Sequence, residues 1–485
     1  MDITKLEPTQ LWTIFNRITK IPRPSRKEEK IIEYIEQFAA EHNLQIEKDT
    51  ANNILVSKPA SPGMENKKTV ILQSHLDMVC EKHNHLNFNF MTDPIPAYID
   101  GNYIKTHGTT LGADDGIGIA ASLAILQSDN IPHGPIQCLF TTDEETGLNG
   151  ARELDPKFLA KADILINLDS EELGEFCIGC AGGKNTRGIF KYKTIETPGN
   201  HYWFEVKIDK LIGGHSGSDI HLGRGNANKI ITRYLWTLNK ETPIQLATIN
   251  GGNLHNAIPR EANAIIGIPI KDREKAIITL NTLQAVLSEE YEQTDKNVRL
   301  AIETVSQPQT CLDQEDARKI LNTIYALPHG VISMSHKIEG MVETSTNLAS
   351  VKMTENNTIT ITTSQRSSSE TLKTDICNQI QACFTLAGAS VEFSDGYPGW
   401  KPNTDSEILK IAGNIYEKMF GKPINVTVIH AGLECGLFLE KKNSLDVISC
   451  GPTINDAHSP EEKIDITTVG QWWKFLIELL KTIPS

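Results

Sequence analysis

The stretch Thr69-Val-Ile-Leu-Gln-Ser-His-Leu-Asp77 sets a short apolar run directly before a histidine and an acid. An apolar run of this length reads as a buried strand, which puts His75 and Asp77 just beyond its carboxyl end. The pattern recurs. Glu144 and Glu145 follow 136–140 (IQCLF), Asp169 follows 162–168 (ADILINL), and His458 lies beyond 445–449 (LDVIS). Helical patterns intervene: 26–42 carries Ile31, Ile32, Tyr34, Ile35, Phe38 and Ala39 at helical spacing, and 117–126 is a second helix. Strands separated by helices predict an α/β layer with a largely parallel sheet. In such sheets the ligand crevice lies beyond the carboxyl ends of the strands, so these separate segments are predicted to converge there.

The middle of the chain reads differently. Strands are predicted at 202–208, 264–270 and 358–363, with helices near 226–239, 271–290, 313–326 and 370–387. A weak repeat places Asn256 before 257–270 and a helix, and Asn347 before 348–363 and a helix, which leaves room for an internal duplication against chance similarity. The residues that complete the acid-and-histidine set return only after this insertion. The predicted organisation is therefore a discontinuous catalytic domain, 1–186 and 399–485, around an inserted α+β domain, 187–398.

Composition narrows the function classes. With 47 basic and 61 acidic side chains the formal charge is −14, which argues against nucleic acid or an anionic membrane as the main partner. The opening MDITKLEPTQLW lacks the basic and apolar parts of a secretory signal, and no run is long enough to span a bilayer, so a cytoplasmic protein is expected. Nine scattered cysteines do not form a disulfide framework, and Cys177-Ile-Gly-Cys180 lacks the second pair that a zinc ribbon needs. Small buried thiols are the expectation.

His75 and Asp77, two apart in an extended segment, face one neighbourhood. A metal-binding histidine commonly donates its second ring N–H to a carboxylate, which would give Asp77 an orienting role. Within Gly108–Gly118 (GTTLGADDGIG), Asp114 and Asp115 are adjacent acids that repel in a low-dielectric site unless cations neutralise them. Gly112 and Gly116 permit close backbone approach, and the helix behind them favours an acid at its N-terminus. A solvated acidic turn, or a helix cap at Asp115, therefore stands beside a metal role. Asp143-Glu144-Glu145 also reads as a solvated loop, or as a pair in which one carboxylate binds metal while its neighbour abstracts a proton. Two histidines with three or four carboxylates suit paired divalent ions: zinc, with manganese or cobalt compatible. That is machinery for hydrolysis.

The motifs SHLDMV (74–79), GTTLGADDGIG (108–118), TTDEETGL (141–148), NLDSEE (167–172), GGHSG (213–217) and DAHSPEE (456–462) together resemble the M20 family of metallopeptidases, and within it the aminoacyl-histidine dipeptidase branch. The resemblance covers essentially the whole chain in motif order. It implies a zinc-peptidase-like catalytic domain with an inserted lid, two Zn²⁺ ions, and hydrolysis of dipeptides with a free N-terminus, Xaa-His dipeptides included. His75 and Asp169 would hold one ion, Glu145 and His458 the other, and Asp114 would bridge them; Asp77 would orient His75, and Glu144 would be the general base. Many relatives carry a lysine after the acidic pair, where this chain has Gly116.

In the lid, His215 looks like the histidine that stabilises the developing oxyanion, with a strand-turn histidine as the alternative. Arg366 is the candidate clamp for the substrate's carboxylate, or an exposed arginine in a Ser-rich loop. Asn256 is a further candidate substrate contact, and Glu434 a candidate receiver of the substrate ammonium. His215 could serve its own chain or a homodimer mate. The rival functions are an M20 tripeptide aminopeptidase, an N-acyl amino acid deacylase, and a metal- or peptide-binding scaffold without catalysis.

Overall fold

The structure, a computed structural model, describes residues 2–354 and 356–485. They divide into two compact units: the residues up to Gly179 with Trp400–Val428 and Leu433–Ser485, and Cys180–Gly399 with Ile429–Gly432. Among the described residues no helix is long and apolar enough to cross a membrane.

The first unit is built on an eight-stranded sheet of β1 (Gln45–Lys48), β2 (Ile54–Lys58), β3 (Val70–His75), β4 (Ile136–Thr141), β5 (Ile164–Asn167), β6 (Glu175–Cys180), β7 (Asn425–Ile429) and β8 (Asp446–Ser449), in the order β1-β2-β4-β3-β5-β8-β6-β7. The four central strands β4, β3, β5 and β8 run parallel, whereas β1–β2, β2–β4 and β8–β6 pair antiparallel. Every residue of β3, β4 and β5 is buried, which is why these strands read as continuous apolar runs rather than alternating ones. Register keeps their carboxyl ends level: His75 pairs with Thr141, and Gln73 with both Leu139 and Asn167.

The helix Ala113–Gln127 is buried from Ala113 to Leu126 and packs on β3 and on the helix Thr9–Ile18. Beyond Asp114 and Asp115, whose dihedrals are non-helical, it is almost wholly apolar and belongs inside the core. Helices Thr9–Ile18, Glu407–Phe420 and Ile466–Thr482, outside the predicted set, complete a core that includes Trp12, Phe15, Leu72, Leu123, Phe176 and Trp472. Cys177 and Cys180 are buried within β6.

The second unit contains one supersecondary pattern twice. Strands His201–Asp209, Gln245–Gly251, Ala262–Pro269 and Arg299–Thr304, with helices Ala227–Glu241 and Arg273–Glu290, follow a βαββαβ path. Their lateral order is fourth, first, third, second. Strands Gly182–Lys191, Val342–Thr354, Thr358–Ser367 and Ser390–Phe393, with helices Gln314–Ala326 and Glu370–Leu386, repeat that path and order. The halves join where Gly251 pairs with Val351. All four helices share one core, through Tyr234, Leu287, Ile320 and Phe384.

The duplication is thus present in the topology, but not in the alignment expected from the asparagines. Asn256 lies between the second and third strands of its half, whereas Asn347 lies inside the second strand of the other. The corresponding third strands begin at Ala262 and Thr358, so an asparagine ahead of an apolar strand was a coincidence of composition.

Candidate functional site

The carboxyl ends of β3, β4 and β5 deliver most of the expected acids and imidazoles to one place. His75 ends β3 and is 1% exposed. Asp77, beyond it, accepts the backbone N–H of Glu144 at 3.0 Å and of Glu145 at 3.2 Å, accepts the Ser25 hydroxyl at 2.7 Å, and faces His75 Nδ1 at 3.4 Å. One carboxylate therefore ties the end of β3 to the loop after β4. Burial alone would raise Asp77, yet the bonds from His75, Glu144 and Ser25 outweigh it and hold the group at about 2.

Asp114 stands between two imidazoles. Its Oδ1 is 2.9 Å from His75 Nε2 and its Oδ2 is 2.9 Å from His458 Nε2. Asp169 approaches His75 Nε2 to 3.4 Å, and Glu145 approaches His458 Nε2 to 3.2 Å. Two groups, His75–Asp114–Asp169 and Asp114–Glu145–His458, thus share one carboxylate, and in each the candidate ligand atoms lie within 4.8 Å of one another; Glu144 joins a third group with His75 and Glu145.

The loop geometry follows from its residues. Gly112 precedes the acids at φ +70°, a left-handed conformation suited to glycine, and the Asp114–Asp115 peptide is cis. Asp115 serves the backbone: Oδ1 accepts the Gly118 N–H at 3.1 Å, as a helix cap does, and Oδ2 accepts the His75 N–H at 3.2 Å. A Cβ at Gly118 would lie 2.2 Å from Asp115 Oδ1, so only glycine leaves room for that bond.

Without added positive charge the cluster is frustrated. Burial, and then the neighbouring acids, push Asp169 well above the carboxylate range; burial likewise raises Asp115 and Glu144. Bonds from Asp114 and Glu145 raise His458 to about 11. Burial would lower His75, but Asp169, Asp114 and Asp77 hold it well above its usual value. Buried acids that must share protons are the electrostatic signature of a site built for cations. Oxygen and imidazole donors suit divalent ions, and among the described residues the buried Glu145 Oε1 has no hydrogen-bond partner, so the residues present fit such a group.

Glu434 lies close to this cluster, 1% exposed. Its Oε2 accepts from Gln73 at 2.6 Å and Thr141 at 2.9 Å, its Oε1 is buried without a partner among the described residues, and burial raises the group to about 7.

The second unit assembles the other candidates by itself. His215 sits in the short strand Gly214–His215, paired with Ala257–Ile258. Its Nδ1 faces the N–H groups of Gly217 at 3.3 Å and Ser218 at 3.1 Å, so the neutral ring carries its proton on Nε2. Arg366 Nη2 lies 3.4 Å from that same Nε2. Two donors then face each other, a contact that an anionic or carbonyl oxygen would relieve. Arg366 is 6% exposed on the strand Thr358–Ser367, its Nη1 donates to Tyr397 at 2.8 Å, and its Nε has no partner among the described residues. His430 Nε2 lies 2.7 Å from the Ser345 hydroxyl. Burial, and then the Arg366 charge, press His215 down to about 4 and His430 to about 3.

Asn256 differs from these. Its side chain is exposed and outside the set that joins His215, Arg366 and Tyr397, while its carbonyl accepts the Ser216 N–H at 2.7 Å. The buried Arg366 also differs from the exposed-loop alternative. Sequence reasoning missed Arg23, Tyr397 and Glu462, whose partners are remote in the chain. Glu462 alone left a trace, as an acid inside DAHSPEE.

Residues 71–482 match the profile of Peptidase family M20/M25/M40. The chain is 42% identical to the cytosol non-specific dipeptidase of Escherichia coli (strain K12) over 484 residues, 100% of this chain and 99% of that protein. Its fold is similar to the crystal structure of aminoacylhistidine dipeptidase from Vibrio alginolyticus, with a TM-score of 0.92, 42% identity, and coverage of 100% of this chain and 99% of that one. Aminopeptidase PepT from Bacillus cereus ATCC 10987 shares the fold at a TM-score of 0.62 and 16% identity, over 99% of each chain.

Proposed function

Because the chain belongs to peptidase family M20/M25/M40, we propose that it hydrolyses dipeptides with a free N-terminus, Xaa-His dipeptides among them, with two zinc ions. The observation that carries this reading is the placement of the two Asp114 oxygens, each 2.9 Å from a different imidazole. His75 and Asp169 would hold one ion and His458 and Glu145 the other, with Asp114 common to both sets. When bound, the ions supply the positive charge that polarises a peptide carbonyl and acidifies water.

The chain's own residues do the rest. Asp77, against His75 Nδ1, fixes the ring so that Nε2 faces Asp114. Glu144 takes the proton of the attacking water and returns it to the leaving amine. His215, with its proton on Nε2, donates to the developing oxyanion, and Arg366 holds the terminal carboxylate through its guanidinium fork. Glu434, with one unpartnered oxygen, receives the substrate ammonium. Asn256 contacts the substrate from the loop beside Ser216. Residues 187–398 act as the lid, and His215 serves its own chain or a homodimer mate. The name of the E. coli relative places that protein in the cytosol, and we assign this chain to the same compartment.

A panel of dipeptides, with β-alanyl-histidine and N-acetylated controls, tests the reading when zinc content is measured on the same sample. Cleavage of free dipeptides but not of blocked ones, with two ions per chain, is expected. Preferred cleavage of N-acyl amino acids would make the protein a deacylase. Bound metal without turnover on any substrate would leave a scaffold.

A further inference from the structure

Glu462 makes an unusual set of bonds. It lies four residues beyond His458, is 2% exposed, and points its carboxylate at the backbone before Asp115. Oε2 accepts the N–H groups of Leu111 at 2.7 Å and Gly112 at 3.0 Å; Oε1 accepts those of Ala113 at 2.7 Å and Asp114 at 3.4 Å. One buried side chain thus serves four consecutive backbone donors.

Arg23 works on the opposite side of the same turn. Also 2% exposed, it donates to the carbonyls of Leu76 at 2.9 Å, Asp77 at 2.5 Å, and Gly112. A Cβ at Gly112 would lie 2.7 Å from its Nη2, and one at Gly116 would lie 2.8 Å away. Both glycines therefore make room for the guanidinium, which accounts for Gly116 in physical terms.

We propose that Glu462, with Arg23, is a positioning clamp for the candidate metal centre: it holds the backbone so that Asp114 presents an oxygen to each metal position. This rests on the two-ion reading above. Neither side chain is a candidate ligand; each acts through main chain that carries ligands. Glu462 grips 111–114 from the segment of His458, and Arg23 joins the His75–Asp77 segment to Gly112. Both are buried charges, costly to desolvate, and their bonds to peptide groups are charge-assisted and stiff. Because Asp114 is the carboxylate common to both groups, a shift of its loop disturbs both ions together.

The Glu462→Gln variant isolates the effect, since the amide keeps the volume but turns an NH₂ donor towards backbone donors. Zinc titrated into metal-free full-length protein, in competition with a chromophoric chelator, should show two ions in the wild type. In Glu462→Gln both should weaken, by roughly 10- to 100-fold as for other supports of metal ligands. The metal-free variant should still melt cooperatively, and at saturating zinc kcat should fall while KM stays within about twofold. Arg23→Lys, which cannot span the three carbonyls, should weaken zinc in the same sense. Glu461→Gln, exposed and 3.3 Å from His83, should match the wild type.

A folded Glu462→Gln protein with zinc affinity within about twofold of wild type, or with only one ion weakened, would overturn the clamp. If that variant does not melt cooperatively, Glu462→Asp, one methylene too short to reach all four donors, is judged by the same criteria. A wild-type protein that takes up no zinc would sink the two-ion reading and the clamp with it, whereas an unaffected variant in a two-ion enzyme sinks the clamp alone.

Discussion

The two polar clusters of this chain are opposites. Around Asp114, acids outnumber their donors: burial, and then neighbouring acids, drive Asp115, Glu144 and Asp169 towards protonation, and the acids raise both imidazoles. Around Arg366 the imbalance is reversed, since a buried guanidinium meets the Nε2–H of His215, and burial, then the Arg366 charge, depresses two neighbouring imidazoles. The first cluster is complementary to cations and the second to an anion. The charge balance of a buried polar cluster indicates the charge of the ligand it suits.

Loss of the proposed general base is the largest change expected with the candidate metal ligands left intact. Glu144→Gln should lower kcat by about 10²–10⁴-fold with zinc content unchanged; metal lost in parallel would make Glu144 a ligand instead. On the cation-rich side, Arg366→Gln should raise KM for free dipeptides by roughly 10- to 100-fold, the loss of a charge-assisted bond. A C-terminal amide should be nearly indifferent to the change, and an equal loss on both substrates would remove Arg366 from the carboxylate.

The smallest effect is on acid stability. His215 and His430 have folded-state values, about 4 and about 3, below the ordinary 6.5. The unfolded chain therefore binds more protons between those values. The stability these rings contribute is complete above pH 6.5 and is lost as pH falls through the folded values. His430→Gln should flatten the decline of unfolding free energy below pH 6.5 by up to about 1.4 kcal/mol per pH unit, read by denaturant titration. An unchanged slope would mean that His430 is not held neutral by its surroundings.

The sheet was legible because its central strands are buried on both faces and so write themselves as apolar runs, each ending where its polar residues begin. The divided roles of Asp114 and Asp115 were legible in part. The bond from Asp115 to Gly118 is local, three residues along a helix, and capping leaves that spacing in sequence. The bonds of Glu462 to the Asp114 loop span 348 to 351 residues and leave none. Arg366 and Tyr397 meet across 31 residues and two elements, again without a spacing rule. The duplication hid for a related reason: strand order shows it, and order depends on pairing between distant segments.

Zinc stoichiometry in Asp114→Ala and Asp115→Ala proteins, measured on folded samples after equilibration with the metal, tests the sharing of Asp114 most directly. The shared carboxylate predicts that Asp114→Ala loses both ions together, while Asp115→Ala keeps two and binds them less tightly. One ion retained at full affinity in Asp114→Ala would contradict it.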